Sequence, residues 1–217
     1  MAIGGINTSN LGTEKNFPIL NPLTDENYTY TPQNNSKTKA MFEFFIGSEF
    51  YPYPDWMLQA GIAYAQANTF QVKGTLTQGV DSLSSEQYGY HFNVSLHQLL
   101  AQSKLMYVFQ ESFYPYFLMG LGTSFNKSSN YGTTVPATLA LTREYSNNTA
   151  HSFTYQLGLG LDTQILSSAR LGISYRYVDF GHVSLGSVKL GQPFGEGTLS
   201  QSNLYGNEIL LQLTYIA

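Results

Sequence analysis

The stretch FTYQLGLGLDTQILSSARLGISYRY, Phe153 to Tyr177, decides the fold. In its first arm Phe153, Tyr155, Leu157, Leu159 and Leu161 alternate with Thr154, Gln156, Gly158, Gly160 and Asp162, the period of two that marks an extended strand. The second arm, reached through the polar turn Ser167-Ser168, sets Leu171, Ile173, Tyr175 and Tyr177 against Arg170, Gly172, Ser174 and Arg176. A soluble sandwich would bury the apolar face and show Lys, Glu and Thr to water. Here the second face is glycine and scattered charge, which suits the crowded interior of a narrow barrel whose outside meets lipid. The expected fold is all-β, an antiparallel transmembrane β-barrel; a soluble barrel with a ligand cavity is the alternative.

Composition agrees. The 217 residues suffice for one β domain and mark no second, so residues 1–217 are read as a single barrel domain. Charged residues are only 11% of the chain, against about 25% in ordinary soluble domains, while aromatics reach 15% with 17 Tyr and 14 Phe. Few charges and many rings suit a surface in hydrocarbon with an aromatic border. A net charge of −4 without a basic run argues against a nucleic-acid partner. Cysteine is absent, which removes disulfides and thiolate metal sites, and no cofactor or metal site is expected. Export to an outer membrane requires a leader, and Met1-Ala2-Ile3-Gly4 lacks both the basic start and the apolar core of one, so the chain is expected to be a mature or otherwise shortened form.

Further alternations occur along the chain. A first strand falls within residues 1–20, at Ala2–Ile6 or near Phe17–Leu20. Ala40, Phe42, Phe44, Ile46 and Phe50 oppose Glu43, Gly47 and Glu49, and after the turn Tyr51-Pro52-Tyr53-Pro54-Asp55 the outward face is Trp56, Leu58, Ala60, Ile62 and Tyr64. Tyr88, Tyr90, Phe92, Val94 and Leu96 are read as outward, opposite His91, Asn93, Ser95 and His97. Leu99, Ala101, Leu105 and Tyr107 continue with the other parity, which predicts a bulge near Gln98. Pro115, Phe117, Met119 and Leu121 face out in the next strand, and Tyr205, Ile209, Leu211, Leu213 and Tyr215 in the last. Seven clear strands and an uncertain first predict eight, the even number that bacterial barrels need. Links near 51–55, 109–113 and 164–169 are short, whereas 73–87, 127–149 and 183–203 are long. That asymmetry predicts short periplasmic turns and long extracellular loops. Tyr51, Tyr53, Trp56, Tyr114 and Tyr116, beside the short turns, are expected to form a periplasmic aromatic girdle in the lipid bilayer.

The run Arg170-Leu-Gly-Ile-Ser-Tyr-Arg-Tyr-Val-Asp-Phe-Gly181, after Gln156-Leu-Gly-Leu-Gly160 and before Asn207-Glu-Ile-Leu-Leu-Gln-Leu-Thr-Tyr215, resembles the small opacity-type outer-membrane barrels of Gram-negative bacteria. The likeness is best over residues 114–217. It implies an eight-stranded, surface-exposed barrel of the bacterial outer membrane, often a surface antigen or adhesin, and carries over no catalytic set.

Within the expected lumen, Arg176 and Glu208 fall on adjacent strands at similar height with Glu43 across the barrel, which predicts a buried ionic network. Filling the interior is the plainest role for it, since charge buried there is tolerable only when paired. A constricted path for small solutes is the functional alternative. Glu49, His91 and His97 are placed on the same inward side. Six residues of strand hold the two histidines about 20 Å apart at roughly 3.3 Å each, too far to share a metal. His91-x-Asn93-x-Ser95-x-His97 lacks an orienting carboxylate for hydrolysis, and Gly158-Leu-Gly160 lacks the third glycine and helix of a nucleotide site. The expected role is structural or interactive: the barrel presents loops, with Tyr131, Leu139, Phe194 and Leu199 among their apolar residues, to an extracellular or host partner. A narrow, porin-like pore or transporter is the alternative.

Overall fold

The computed structural model describes the whole chain except residues 9–10, 19–26, 34–36, 80–86, 110–111, 136–143, 189–196 and 217, so Leu139 and Phe194 lie outside the described residues. Its strands are β1 (Ala2–Thr8), β2 (Lys15–Pro18), β3 (Asn27–Pro32), β4 (Lys37–Tyr53), β5 (Trp56–Ala67), β6 (Phe70–Gly79), β7 (Gln87–Tyr107), β8 (Phe113–Thr133), β9 (Asn148–Leu166), β10 (Ala169–Asp179), β11 (Val183–Ser184), β12 (Ser200–Gln201) and β13 (Tyr205–Tyr215). Eight of them close a ring in the order β1-β4-β5-β7-β8-β9-β10-β13, every pair antiparallel, and β1 seals it against β13 from Ala2↔Gln212 to Thr8↔Gly206. Short turns lie at one rim and the long connections at the other, as the link lengths predicted.

The remaining strands continue the wall upward. β1 pairs with β4 at Thr8↔Lys37 and β2 with β3 at Lys15↔Tyr30, one register carried across a break, so the two candidate first strands are parts of a single ladder. β5 and β6 likewise run together along β7, from Gln66↔His97 to Phe70↔Val94, with one extra residue at Asn68-Thr69. The small β11–β12 hairpin extends β10 and β13, with Phe180 N–H donating to the Leu204 carbonyl at 2.8 Å and Leu185 N–H to that of Leu199 at 2.9 Å. Residues 73–87 and 127–149, expected as polar loops, therefore begin or end as strand: β6 reaches Gly79, and β8 reaches Thr133.

The alternation in the deciding hairpin holds throughout. Phe153, Leu157, Leu159, Leu161, Leu171, Ile173 and Tyr175 are exposed, while Thr154, Gln156, Gly158, Asp162, Arg170, Gly172, Ser174 and Arg176 are buried. With Ile46 79% exposed, these residues make a continuous apolar belt that water would not tolerate and lipid requires. Tyr51, Tyr53 and Trp56 stand at the lower edge of the belt, exposed, with the Trp56 and Tyr107 rings 5.3 Å apart. Tyr114 and Tyr116 do not join that girdle. Both point into the lumen and are buried, because they occupy the inward parity of β8.

Strand β7 brings the larger correction. A single parity runs from Tyr90 to Met106, with Tyr90, Phe92, Val94 and Leu96 buried on the inside and no reversal at Gln98. The irregularity sits higher, between His91 and Asn93 on the β8 side. The apolar row Tyr90, Phe92, Val94 and Leu96 suggests a lipid-facing side, but above the belt the barrel interior is itself an apolar core. Tyr30, Phe70, Val72, Tyr90, Phe180 and Leu204 are among the residues buried in it.

Gly160 is one of several glycines that permit close approaches in the lumen. A Cβ on Gly160 would stand 2.3 Å from the Tyr116 ring. Gly160→Val is expected to displace Tyr116 and lower stability by about 1–3 kcal/mol, read as a shift of the denaturation midpoint in detergent; an unchanged midpoint would show that the ring moves aside freely.

Candidate functional site

The lumen is crossed by side chains at three heights. Lowest, Arg170 on β10 grips Glu49 on β4 with two bonds of 2.8 Å and lies 4.9 Å from the centre of the Tyr114 ring. Above it, the Lys104 ammonium on β7 stands 3.6 Å from Asp162 on β9 and 4.7 Å from the Tyr116 ring centre, and donates to Gln212 on β13. Gln212 in turn donates to the Tyr116 hydroxyl at 2.7 Å and to Ser174 at 2.8 Å. Higher still, Arg176 makes a two-pronged contact with Glu43 across the barrel, one arm at 3.1 Å. Polar pairs between β7 and β9 add to the filling, Gln156 donating to Gln102 at 2.8 Å and Gln98 to Thr154 at 2.6 Å.

At the upper end Asn126 donates to the carbonyls of Phe180 and His182 at 2.7 and 2.9 Å, fixing the exit of β10 over the mouth. The dry core follows. Tyr131 donates to the Tyr30 hydroxyl at 3.3 Å, and Tyr30 packs edge-on against Tyr90 and Tyr145 with ring centres 5.2 and 6.2 Å apart. Burial, reinforced by the neighbouring Tyr131 and Tyr145, pushes the Tyr30 phenol up, and burial pushes Tyr90 up to about 12. Both phenols are neutral when folded and ionise near 10 once unfolded, so their contribution is complete below pH 10 and declines as pH rises toward 12. The melting temperature is therefore expected to fall over pH 10–12, and less steeply in Tyr90→Phe; equal slopes would remove Tyr90 from the effect.

Residues 4–216 match the family described as "Outer membrane protein beta-barrel domain". The chain belongs to this family. No curated protein matches it. As an outer-membrane β-barrel domain protein it resides in the bacterial outer membrane. Its structure is similar to that of the outer membrane protein OprG from Pseudomonas aeruginosa, at 15% identity, covering 99% of this chain and 93% of that one with a TM-score of 0.50. It also matches Ail, the attachment invasion locus protein of Yersinia pestis, at 12% identity, 99% and 94% coverage and a TM-score of 0.40. The outer membrane protease OmpT from Escherichia coli matches at 9% identity, 99% and 95% coverage and 0.46. At these identities the OprG likeness speaks for the fold alone.

Within this outer-membrane barrel the expected lumen residues separate. Glu43, Arg176 and Glu208 are all buried inside, and Arg176 stands opposite Glu208 in the β10–β13 register. Arg176 nevertheless spends both arms on Glu43, and among the described residues neither carboxylate oxygen of Glu208 has a hydrogen-bond partner. Glu49 is paired with Arg170 from the inner side of β4. His91 and His97 are not, because β7 keeps one parity. His91 is exposed, and half-buried His97 bonds the outward-facing Tyr64 hydroxyl at 2.9 Å. The Lys104–Asp162 and Arg170–Glu49 pairs lie outside the network expected from the sequence. Their signal was the same inward parity that placed Arg176, applied to every charged residue rather than to one cluster.

Proposed function

We propose that this outer-membrane barrel is a surface protein that works through its extracellular end, as an adhesin or surface antigen does, with a lumen closed to solutes and no catalytic role. The observation that supports this reading is the stack of three cation–carboxylate contacts beneath a dry aromatic core. A path for solutes would have to break several buried charge contacts and then cross packed rings. The strands that rise above the belt give the loops a rigid base, which favours presentation over flexible gating.

Single-channel recording in planar bilayers tests the reading. The refolded protein is expected to give no discrete steps, while Lys104→Ala/Arg176→Ala, which empties two of the three layers, is expected to give small ones. Regular steps from the unaltered protein, with insertion verified separately, would replace this reading with that of a narrow pore.

A further inference from the structure

On one side of the barrel the apolar belt gives way to a cationic wall. The highest exposed apolar residues of β5, β7 and β9 are Tyr64, Leu99 and Phe153, with Tyr64 opposite Leu99. Above them β6, β7 and β8 set His97, Ser95, His91, Lys73 and Lys127 outward. Lys127 is exposed, pairs with Ser95 across the ladder and lies in charge range of His97. Lys73 is exposed and pairs with the equally exposed His91. Lys37, where β4 begins, donates to the Gln71 carbonyl and adds its charge to that of Lys73. The carboxylates of strands β4 to β9 are Glu43, Glu49 and Asp162, and each is in contact with a cation of the lumen. Among the described residues, the outer faces of these strands therefore hold lysines with no carboxylate beside them.

We propose that this wall binds the phosphates of a phosphorylated glycolipid in the outer leaflet, at two levels. Lys127 with His97 forms the lower level, and Lys73 with His91 and Lys37 the upper. Lysines clustered beside a membrane attract anionic headgroups, and the heights specify which kind. Ser95 and His91 stand four and eight residues above Leu99 on one strand. That is about 13 and 26 Å at roughly 3.3 Å per residue, or about 10 and 20 Å of height on strands tilted near 40°. The headgroup layer of a simple phospholipid is only about 5–8 Å deep. The flexible stem of Lys127 reaches down to such a layer. The upper level does not, and it requires phosphate carried well above the acyl chains, as on an oligosaccharide head. A soluble polyanion fits less well, because these lysines stand on the side wall directly over the belt, where lipid headgroups already crowd.

The test follows heat-induced unfolding by gel mobility after refolding into phosphatidylcholine vesicles, alone or mixed with phosphatidylglycerol, lipopolysaccharide or dephosphorylated lipopolysaccharide. Lipopolysaccharide is expected to raise the unfolding temperature on the order of 5 °C, phosphatidylglycerol less, and the dephosphorylated form not at all. Lys73→Gln/His91→Gln should cut the lipopolysaccharide rise to the phosphatidylglycerol level and leave the latter intact, whereas Lys127→Gln should reduce both. Lys73→Arg, which keeps the charge, should keep the full rise. Lys37 is left in place because it also holds the Gln71 carbonyl. In phosphatidylcholine alone every variant should unfold with the unaltered protein, and a deficit there would overturn the proposal in favour of a structural role. An equal rise from dephosphorylated lipopolysaccharide, or from phosphatidylglycerol, would overturn it too. So would heparin or inorganic phosphate, added to phosphatidylcholine vesicles, matching lipopolysaccharide, which would assign the wall to a soluble anion.

Discussion

Arg176→Ala is expected to cost about 3–5 kcal/mol of unfolding free energy, the penalty of leaving buried charge without its partner. The residue is fully buried and is the only cation in contact with Glu43 among the described residues, and Glu208 lies opposite it in the ladder with no hydrogen-bond partner. Removing the guanidinium leaves the Glu43 and Glu208 carboxyl groups, on the strands either side of β1, without the cation that lies beside both. Adding Glu43→Gln to the variant should restore much of the loss, because a neutral amide tolerates the same site. Denaturant midpoints in detergent for the single and double variants decide it. Coincident midpoints for Arg176→Ala and the unaltered protein would show that water enters the lumen and screens the charge.

Leu159→Arg is the second large effect, about 2–4 kcal/mol, from placing a charge in the middle of the lipid-facing belt. Leu159 is 64% exposed and pairs with Tyr175 on one side and Phe117 on the other, both outward and exposed. The cost should appear in bilayers and shrink in a micelle whose detergent headgroups can reach the guanidinium. Thr163→Arg, four residues nearer the short turn, should cost much less, since the penalty falls toward the interface. If both substitutions cost the same, the belt is not centred where the exposure pattern puts it.

Much of this barrel was legible because lipid outside and polar contents inside impose opposite demands on adjacent residues. Leu157, Gly158, Leu159 and Gly160 announce their faces without help from the fold, and Arg176 and Glu43 follow from the same count. The pattern misleads where the inside ceases to be polar. Phe92 and Val94 look lipid-facing by composition, and only the continuous strand through Leu96, Gln98 and Leu100 shows that they share the inward side with Lys104. His91 and His97 were carried outward by the same shift. Tyr114 and Tyr116 show a related limit: a ring near a turn suits either a lipid border or a cation inside, and Arg170 and Lys104 beneath those rings are contributed by other strands.

The seam between β1 and β13 joins residues 212 apart in the chain, so closing the ring is the most non-local event in the molecule. The β9–β10 hairpin needs only Ser167-Ser168 to form, and β10–β13 follows in unbroken register. Before closure, β13 and β1 are both free edges, and the Arg176–Glu43 contact that spans the same seam does not exist. The ion pair therefore rewards the last step of assembly, and its loss should slow final closure more than the formation of the hairpins that precede it.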